Sequence, residues 1–291
     1  MGTRAQSKVA RCMISTAFAL LLTLLWLQSG ADTALAASSS ALPGVTWRTV
    51  NDTVMGGRSS SRLKQTEKGH LLWSGNLSLA NNGGFVSIRS EDSWADWSQY
   101  DGIEVVIEGG GRDIQVTAQR KGMRVRAGGY RAPVPTHTEG DTRVVIPFSA
   151  FVLKSFGREI RGPALSQGLD SVGQWGLLIS DKREGSFSVV LKSMKPARLE
   201  NVGRLSPEVR PALVAAIERG VPAFNGGDAR GCATIYGDVL AALGAQGKLG
   251  QSSWALLMAR AARKRAAREG PTDAAWTLRR AIDAILKSTG N

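Results

Sequence analysis

From Val45 to about Arg198 the chain alternates short apolar, β-branched runs with turn residues, and this spacing constrains the fold more than any other feature. The runs at 71–79, 102–108, 114–118, 142–146, 176–179 and 186–191 have strand length and are separated by glycine-rich, asparagine-rich or charged turns. Strands this short cannot bury an apolar face alone, so they are expected to pair into a sandwich or barrel. After Leu199 the period becomes helical. Ser206-Pro207-Glu208 offers an N-cap, a proline at the first helical position and an acid in the first turn, which predicts a helix to Arg219 ended by Gly220. Asp228 caps a second predicted helix through Ala242, with Gly244 closing it. A third begins near Ser252 or Ser253 and a fourth near Thr272. The expected fold class is mainly β: a β-sandwich over 47–198 followed by a small all-α helical domain over 199–291.

The first 36 residues carry a different pattern. Arg4, Lys8 and Arg11 precede an apolar run over 13–27, interrupted only by Ser15, Thr16 and Thr23, and Ala34-Leu35-Ala36 supplies the small residues a signal peptidase accepts. The run is shorter than the roughly 20 residues needed to cross a bilayer as a helix. Residues 1–36 are therefore read as a cleaved secretory signal peptide, and 37–46, with Ser38-Ser39-Ser40, as a flexible lead-in. The expected destination is the periplasm or the exterior; an organellar targeting signal is the alternative.

The formal net charge is +13, and removal of the signal costs three basic residues and Asp32, leaving the remainder strongly basic. Such a balance suits anionic partners such as membrane headgroups, acidic polysaccharide or nucleic acid without choosing among them, and it also follows simply from an arginine-rich genome. Only Cys232 follows the signal, so no internal disulfide is expected. With His70 and His137 the only histidines, no metal constellation and no cofactor are expected. The carboxylates are scattered among turns and strands, so the chain is read as non-catalytic.

Several motifs occur in a fixed order. Trp47-Arg48-Thr49-Val50-Asn51-Asp52-Thr53-Val54-Met55-Gly56-Gly57-Arg58-Ser59-Ser60 leads. Asn81-Asn82-Gly83-Gly84-Phe85-Val86-Ser87-Ile88-Arg89, Tyr100-Asp101-Gly102-Ile103 and Gly109-Gly110-Gly111-Arg112 follow. Val145-Ile146-Pro147-Phe148-Ser149-Ala150-Phe151, Gly157-Arg158 and the stretch from Gly176 through Asp181-Lys182-Arg183-Glu184-Gly185 to Phe187 complete the set. In this order the motifs resemble the complex I intermediate-associated protein 30 family, over about Trp47 to Met194. The resemblance implies a galactose-binding-like jelly roll and a non-catalytic, assembly-factor or chaperone-like role, with a protein or membrane-associated complex as partner. Carbohydrate binding is the alternative.

Candidate binding residues are Asn51, Asp52, Arg89, Arg112, Asp181 and Lys182. Asn51 and Asp52 either form Asx turns beside Gly56-Gly57 or converge with Arg89 on a ligand at one end of the sandwich. Arg89 either pairs with an internal aspartate or clamps a carboxylate or phosphate. Asn82-Gly83-Gly84 reads as a hairpin turn with Phe85 entering the core, and 181–185 as a charged hairpin between the last strands. Arg124 and Arg126, with Arg131 nearby, form a basic patch that is either a protected strand edge or an anion contact. Trp94 and Trp97 either stack on sugar rings or plug the sandwich.

In the helical part, Gly220-Val221-Pro222, Asn225-Gly226-Gly227-Asp228 and Cys232-Ala233-Thr234-Ile235-Tyr236 resemble a module attached to various bacterial exported proteins, with Cys232 expected to be a packed thiol. Trp254, Leu257, Met258 and Ala261 oppose Arg260, Arg263, Lys264 and Arg268 on an amphipathic helix that either packs on its neighbours or makes peripheral contact with an anionic membrane. No interleaving of aromatic and basic residues suggests nucleic acid.

Overall fold

A computed structural model describes residues 45–91, 96–123, 128–199, 205–250 and 253–289. The expected signal segment, most of the lead-in, Trp94, Arg124, Arg126 and Ser252 lie outside the described residues. Two antiparallel sheets face each other and four helices follow, so the fold is mainly β with a helical C-terminal part.

The strands are β1 Trp47–Asn51, β2 Ser60–Gln65, β3 Leu71–Leu77, β4 Val86–Ser90, β5 Gly102–Glu108, β6 Asp113–Arg120, β7 Gly129–Pro135, β8 Thr142–Pro147, β9 Val152–Ser155, β10 Arg158–Glu159, β11 Val172–Ile179 and β12 Gly185–Ala197. One sheet has seven strands in the order β1-β4-β11-β6-β7-β9-β10, and the other has five in the order β2-β3-β12-β5-β8. Period-two alternation places Ile88, Trp175, Leu177, Val116, Tyr130 and Ala132 inside from the first sheet, and Trp73, Leu77, Val105, Ile107, Val144 and Val189 inside from the second. Trp97 is buried and its ring lies 4.7 Å from that of Trp175, so it plugs the sandwich.

Two expected hairpins are instead crossings between sheets. Asn82-Gly83-Gly84 connects β3 of the five-stranded sheet to β4 of the seven-stranded sheet, and Phe85 is half-buried rather than a core residue. Residues 181–185 likewise carry the chain from β11 to β12 across the sandwich. Turn chemistry specifies a reversal, but only pairing shows whether the next strand returns to the same sheet. β7 was obscured in the sequence by Pro133 and Pro135, which cannot donate to a ladder. The prolines are tolerated because β9 pairs only with Gly129, Tyr130 and Arg131, leaving the rest of that edge of β7 open.

The helices are α1 Val209–Asn225, α2 Ala229–Ala245, α3 Trp254–Ala266 and α4 Pro271–Ser288. Asp228 caps α2 through the Gly231 amide at 2.7 Å, and Ser253 caps α3 through the Leu256 amide at 3.2 Å. Helix α1 does not stop at Gly220 but continues through Pro222 to Asn225, and Gly227, at φ 91°, turns the chain after it. Gly220 serves packing: a Cβ there would lie 2.4 Å from the buried Tyr236 ring. Gly220→Ala should therefore lower stability by about 1–3 kcal/mol in a denaturant titration, despite alanine's better helix propensity.

The helices share one continuous core with the sandwich. The Trp254 indole N–H donates to the Pro133 carbonyl at 2.6 Å, satisfying the open edge of β7, and the Ser149 hydroxyl donates to the Ser288 carbonyl at 2.8 Å. Lys287 pairs with Glu159 at 2.5 Å and Arg265 with Asp113 at 3.4 Å.

Candidate functional site

At one end of the sandwich Asp52 begins a short 3-10 turn after β1 and is 1% exposed. Its Oδ1 accepts from the Ser59 amide at 2.8 Å; its Oδ2 accepts from the Ser59 hydroxyl at 2.5 Å, the Gly84 amide at 2.6 Å and the Phe85 amide at 3.3 Å. Burial by itself would raise the carboxyl's pKa, but the Ser59 hydroxyl and the Gly84, Ser59 and Phe85 amides outweigh it and hold the group below its ordinary value. A Cβ on Gly57 would lie 2.3 Å from the Asp52 carboxyl carbon, and one on Gly83 would lie 2.6 Å from Oδ2. The glycines thus let two loops close on one carboxylate. Asn51 Oδ1 accepts from the Ser61 hydroxyl at 2.6 Å, tying β1 to β2.

A second cluster lies on the 181–185 crossing. Asp181, its side chain 1% exposed, pairs with Arg112 at 3.1 Å and Arg183 at 2.9 Å, and Arg183 also donates to the Gly111 carbonyl at 2.7 Å. Lys182 projects outward from a left-handed backbone position, φ 58°. Asn51, Asp52 and Asp181 are therefore engaged within their loops and do not converge with Arg89 on a common concavity.

Arg89 belongs to a different surface. Ile88 and Ser90 point inward from β4, so Ser87 and Arg89 face the outer side of the seven-stranded sheet. Cross-strand register sets Arg89 opposite Arg48 on β1 and Gly176 on β11; Gly176 lies opposite Thr117 on β6, and Thr117 opposite Arg131 on β7. One row thus reads Arg48, Arg89, Gly176, Thr117, Arg131 across five strands. Lys154 on β9 stands opposite Gly129, on the same face as Arg131. Gly176 is required there, because a Cβ would lie 2.4 Å from the Ile88 carbonyl oxygen and 2.7 Å from Thr117 Oγ1.

No described carboxylate pairs with Arg48, Arg89 or Arg131. Burial lowers the proton affinity of Arg89, and the charges of Arg48 and Arg131 lower it further. Burial does the same to Arg131. Lys154 is lowered by burial and by Arg131, with Glu159 acting in the opposite sense. The outer face of the five-stranded sheet contrasts with this: Glu104 on β5 pairs with Arg143 on β8 at 3.1 Å and Lys195 on β12 at 3.2 Å.

On α3, Arg260, Arg263 and Lys264 are exposed opposite buried Trp254, Ala255, Ala259 and Ala262, while Leu257, Met258 and Ala261 are half-buried. Cys232 is buried. Among the described residues no three His, Cys, Asp or Glu side chains group as a metal centre, and no helix is long and apolar enough to cross a membrane.

The sequence pointed to Arg89 and Arg131 separately but not to their alignment with Arg48. Strand alternation assigns each a face; cross-strand register, which places them in one row, has no signature within a single strand.

The chain is similar in structure to a family 11 carbohydrate-binding module of a cellulosomal cellulase of Clostridium thermocellum, at 17% identity and a TM-score of 0.39, covering 56% of this chain and 95% of that one. A structure of a family 11 module from the same organism with a β-1,3-1,4-mixed-linked tetrasaccharide matches at 16% identity and a TM-score of 0.36, over 52% of this chain and 90% of that one. An exo-β-agarase matches at 12% identity and a TM-score of 0.32, over 56% of this chain and 25% of the enzyme. No curated protein sequence matches significantly. The sequence profile of complex I intermediate-associated protein 30 matches residues 37–191, just over half of the chain, and the protein belongs to that family.

Proposed function

We propose that this is an exported, non-catalytic binding protein that engages its partner through the outer face of the seven-stranded sheet. The observation that carries the reading is the contrast between the loop-end carboxylates Asp52 and Asp181, both consumed by internal bonds, and the row of cations on the sheet face, for which no described residue supplies a counter-charge. The family's name makes a protein complex one partner class, with an assembly-factor or chaperone-like role. Carbohydrate is the second class, favoured by the hydroxyl and amide side chains of Thr117, Gln119 and Gln174 that share the face with the arginines.

Pull-down from native membranes with the full chain, run beside a glycan array, separates the two. A defined protein partner supports the assembly reading, and selective glycan retention supports the carbohydrate reading. New reducing ends released from any retained glycan would overturn the non-catalytic assignment. Export is tested by sequencing the mature N-terminus, which is expected to begin at Ala37.

A further inference from the structure

We propose that the row of Arg48, Arg89 and Arg131, set around the side-chain-free position Gly176, binds a negatively charged glycan. The guanidiniums hold its carboxylate or sulfate groups, and Thr117 and Gln174 bond its hydroxyls. The inference rests on the sheet-face binding reading above and narrows it to one ligand class.

Three observations lead to it. First, the cations are aligned by strand pairing: Arg48 and Arg89 are direct neighbours, and Arg89 and Arg131 stand three strands apart, about 14 Å between Cα atoms at ordinary strand spacing. Second, the strand between Arg89 and Thr117 carries no side chain in this row, because at Gly176 the Ile88 carbonyl and Thr117 leave no room for a Cβ. Third, no described carboxylate forms an ion pair with them, whereas on the outer face of the other sheet Glu104 pairs with both Arg143 and Lys195. Like charges gathered on a half-buried surface cost stability, and an anion at the site removes that cost. Arginine's planar fork suits a carboxylate or sulfate oxygen pair.

The rest of the face decides the class. Protein-binding surfaces concentrate their energy in tryptophan, tyrosine and arginine anchors set among apolar contacts, and this row supplies arginines but no aromatic side chain. A nucleic-acid platform needs bases stacked on aromatic rings, and the buried tryptophans Trp47 and Trp175 belong to the core. Beside the arginines on this face stand the hydroxyl of Thr117 and the amides of Gln119 and Gln174, the chemistry that bonds sugar hydroxyls, together with the aliphatic Val50 and Leu178.

The test is calorimetric titration of the full chain at low salt with oligogalacturonate, a sulfated oligosaccharide, a neutral β-glucan oligosaccharide, polyglutamate and inorganic sulfate. At least one of the two acidic glycans is expected to bind, and to bind more tightly than the neutral one. Arg89→Gln or Arg131→Gln should weaken that binding about tenfold or more, the scale of a charged hydrogen bond. Arg62→Gln, on exposed β2 of the other sheet, should leave it unchanged. The thermal midpoints of the row variants should equal or exceed that of the parent, because a repelling charge has been removed; Arg48→Gln gives an independent reading should either of the others misfold.

Equal affinity for the neutral glycan, or no loss in the row variants, overturns the anionic assignment and leaves glycan binding standing. Polyglutamate bound as tightly overturns the glycan class. Binding of inorganic sulfate alone overturns the inference, and failure to bind any glycan or polyanion overturns both it and the carbohydrate reading.

Discussion

Asp52→Ala should lower the thermal midpoint by roughly 10 °C, corresponding to a loss of about 3–5 kcal/mol. The substitution leaves the Ser59 amide and hydroxyl and the Gly84 and Phe85 amides without the acceptor that now joins the loop after β1 to the crossing before β4. Asp52→Asn should recover little, because its amide NH2 points a donor at groups that are themselves donors. The carboxylate also makes stability depend on pH. Its folded pKa lies below the ordinary value of 3.8, so between the two values the unfolded chain binds more protons and stability rises with pH. The contribution is therefore present above that ordinary value and lost as pH falls through the folded one. Acid titration of the parent and Asp52→Ala should show their difference in stability shrinking at the acid end. A constant difference would mean that Asp52 acts through packing alone.

Trp254→Ala should cost about 3–5 kcal/mol, the usual range for deleting a fully buried large aromatic side chain. Trp254 is 1% exposed at the start of α3, and its indole satisfies the Pro133 carbonyl on the open edge of β7. Two effects are therefore joined: a cavity between helices and sandwich, and an edge carbonyl left without its donor. Hydrogen exchange should quicken both in α3 and at Ala132 and Val134, which flank the released carbonyl. Trp254→Phe keeps most of the packing and loses the bond, so about 1–2 kcal/mol is expected. Exchange confined to α3 would show that the helices contribute nothing to the β7 edge.

The local elements were readable because their causes are local. The run 102–108 became β5 with the same limits, and 142–146 became β8 with one added residue, since β-branched side chains and flanking turns act over neighbouring positions. Asp228 and Ser253 cap helices where their residue type predicts. The end of α1 was misplaced because Gly220 resembles a stop signal; it is glycine to make room for Tyr236, a contact between two helices. Asn51 and Asp52 were legible as a loop pair beside glycines, yet their two readings separated only when Ser59, Gly84 and Phe85 were seen around one carboxylate.

The sequence by itself determined that a run of short strands precedes helices, that one helix is capped at Asp228 and another begins near Ser252 or Ser253, and that the chain is strongly basic. Only the tertiary structure decided that 82–84 and 181–185 cross between sheets, that Trp254 closes the β7 edge, and that Arg48, Arg89 and Arg131 share one row. The physical reason is distance along the chain. Propensity, capping and alternation act within a few residues, whereas strand order and register arise from burying two sheets against each other, and they bring together arginines more than 40 positions apart.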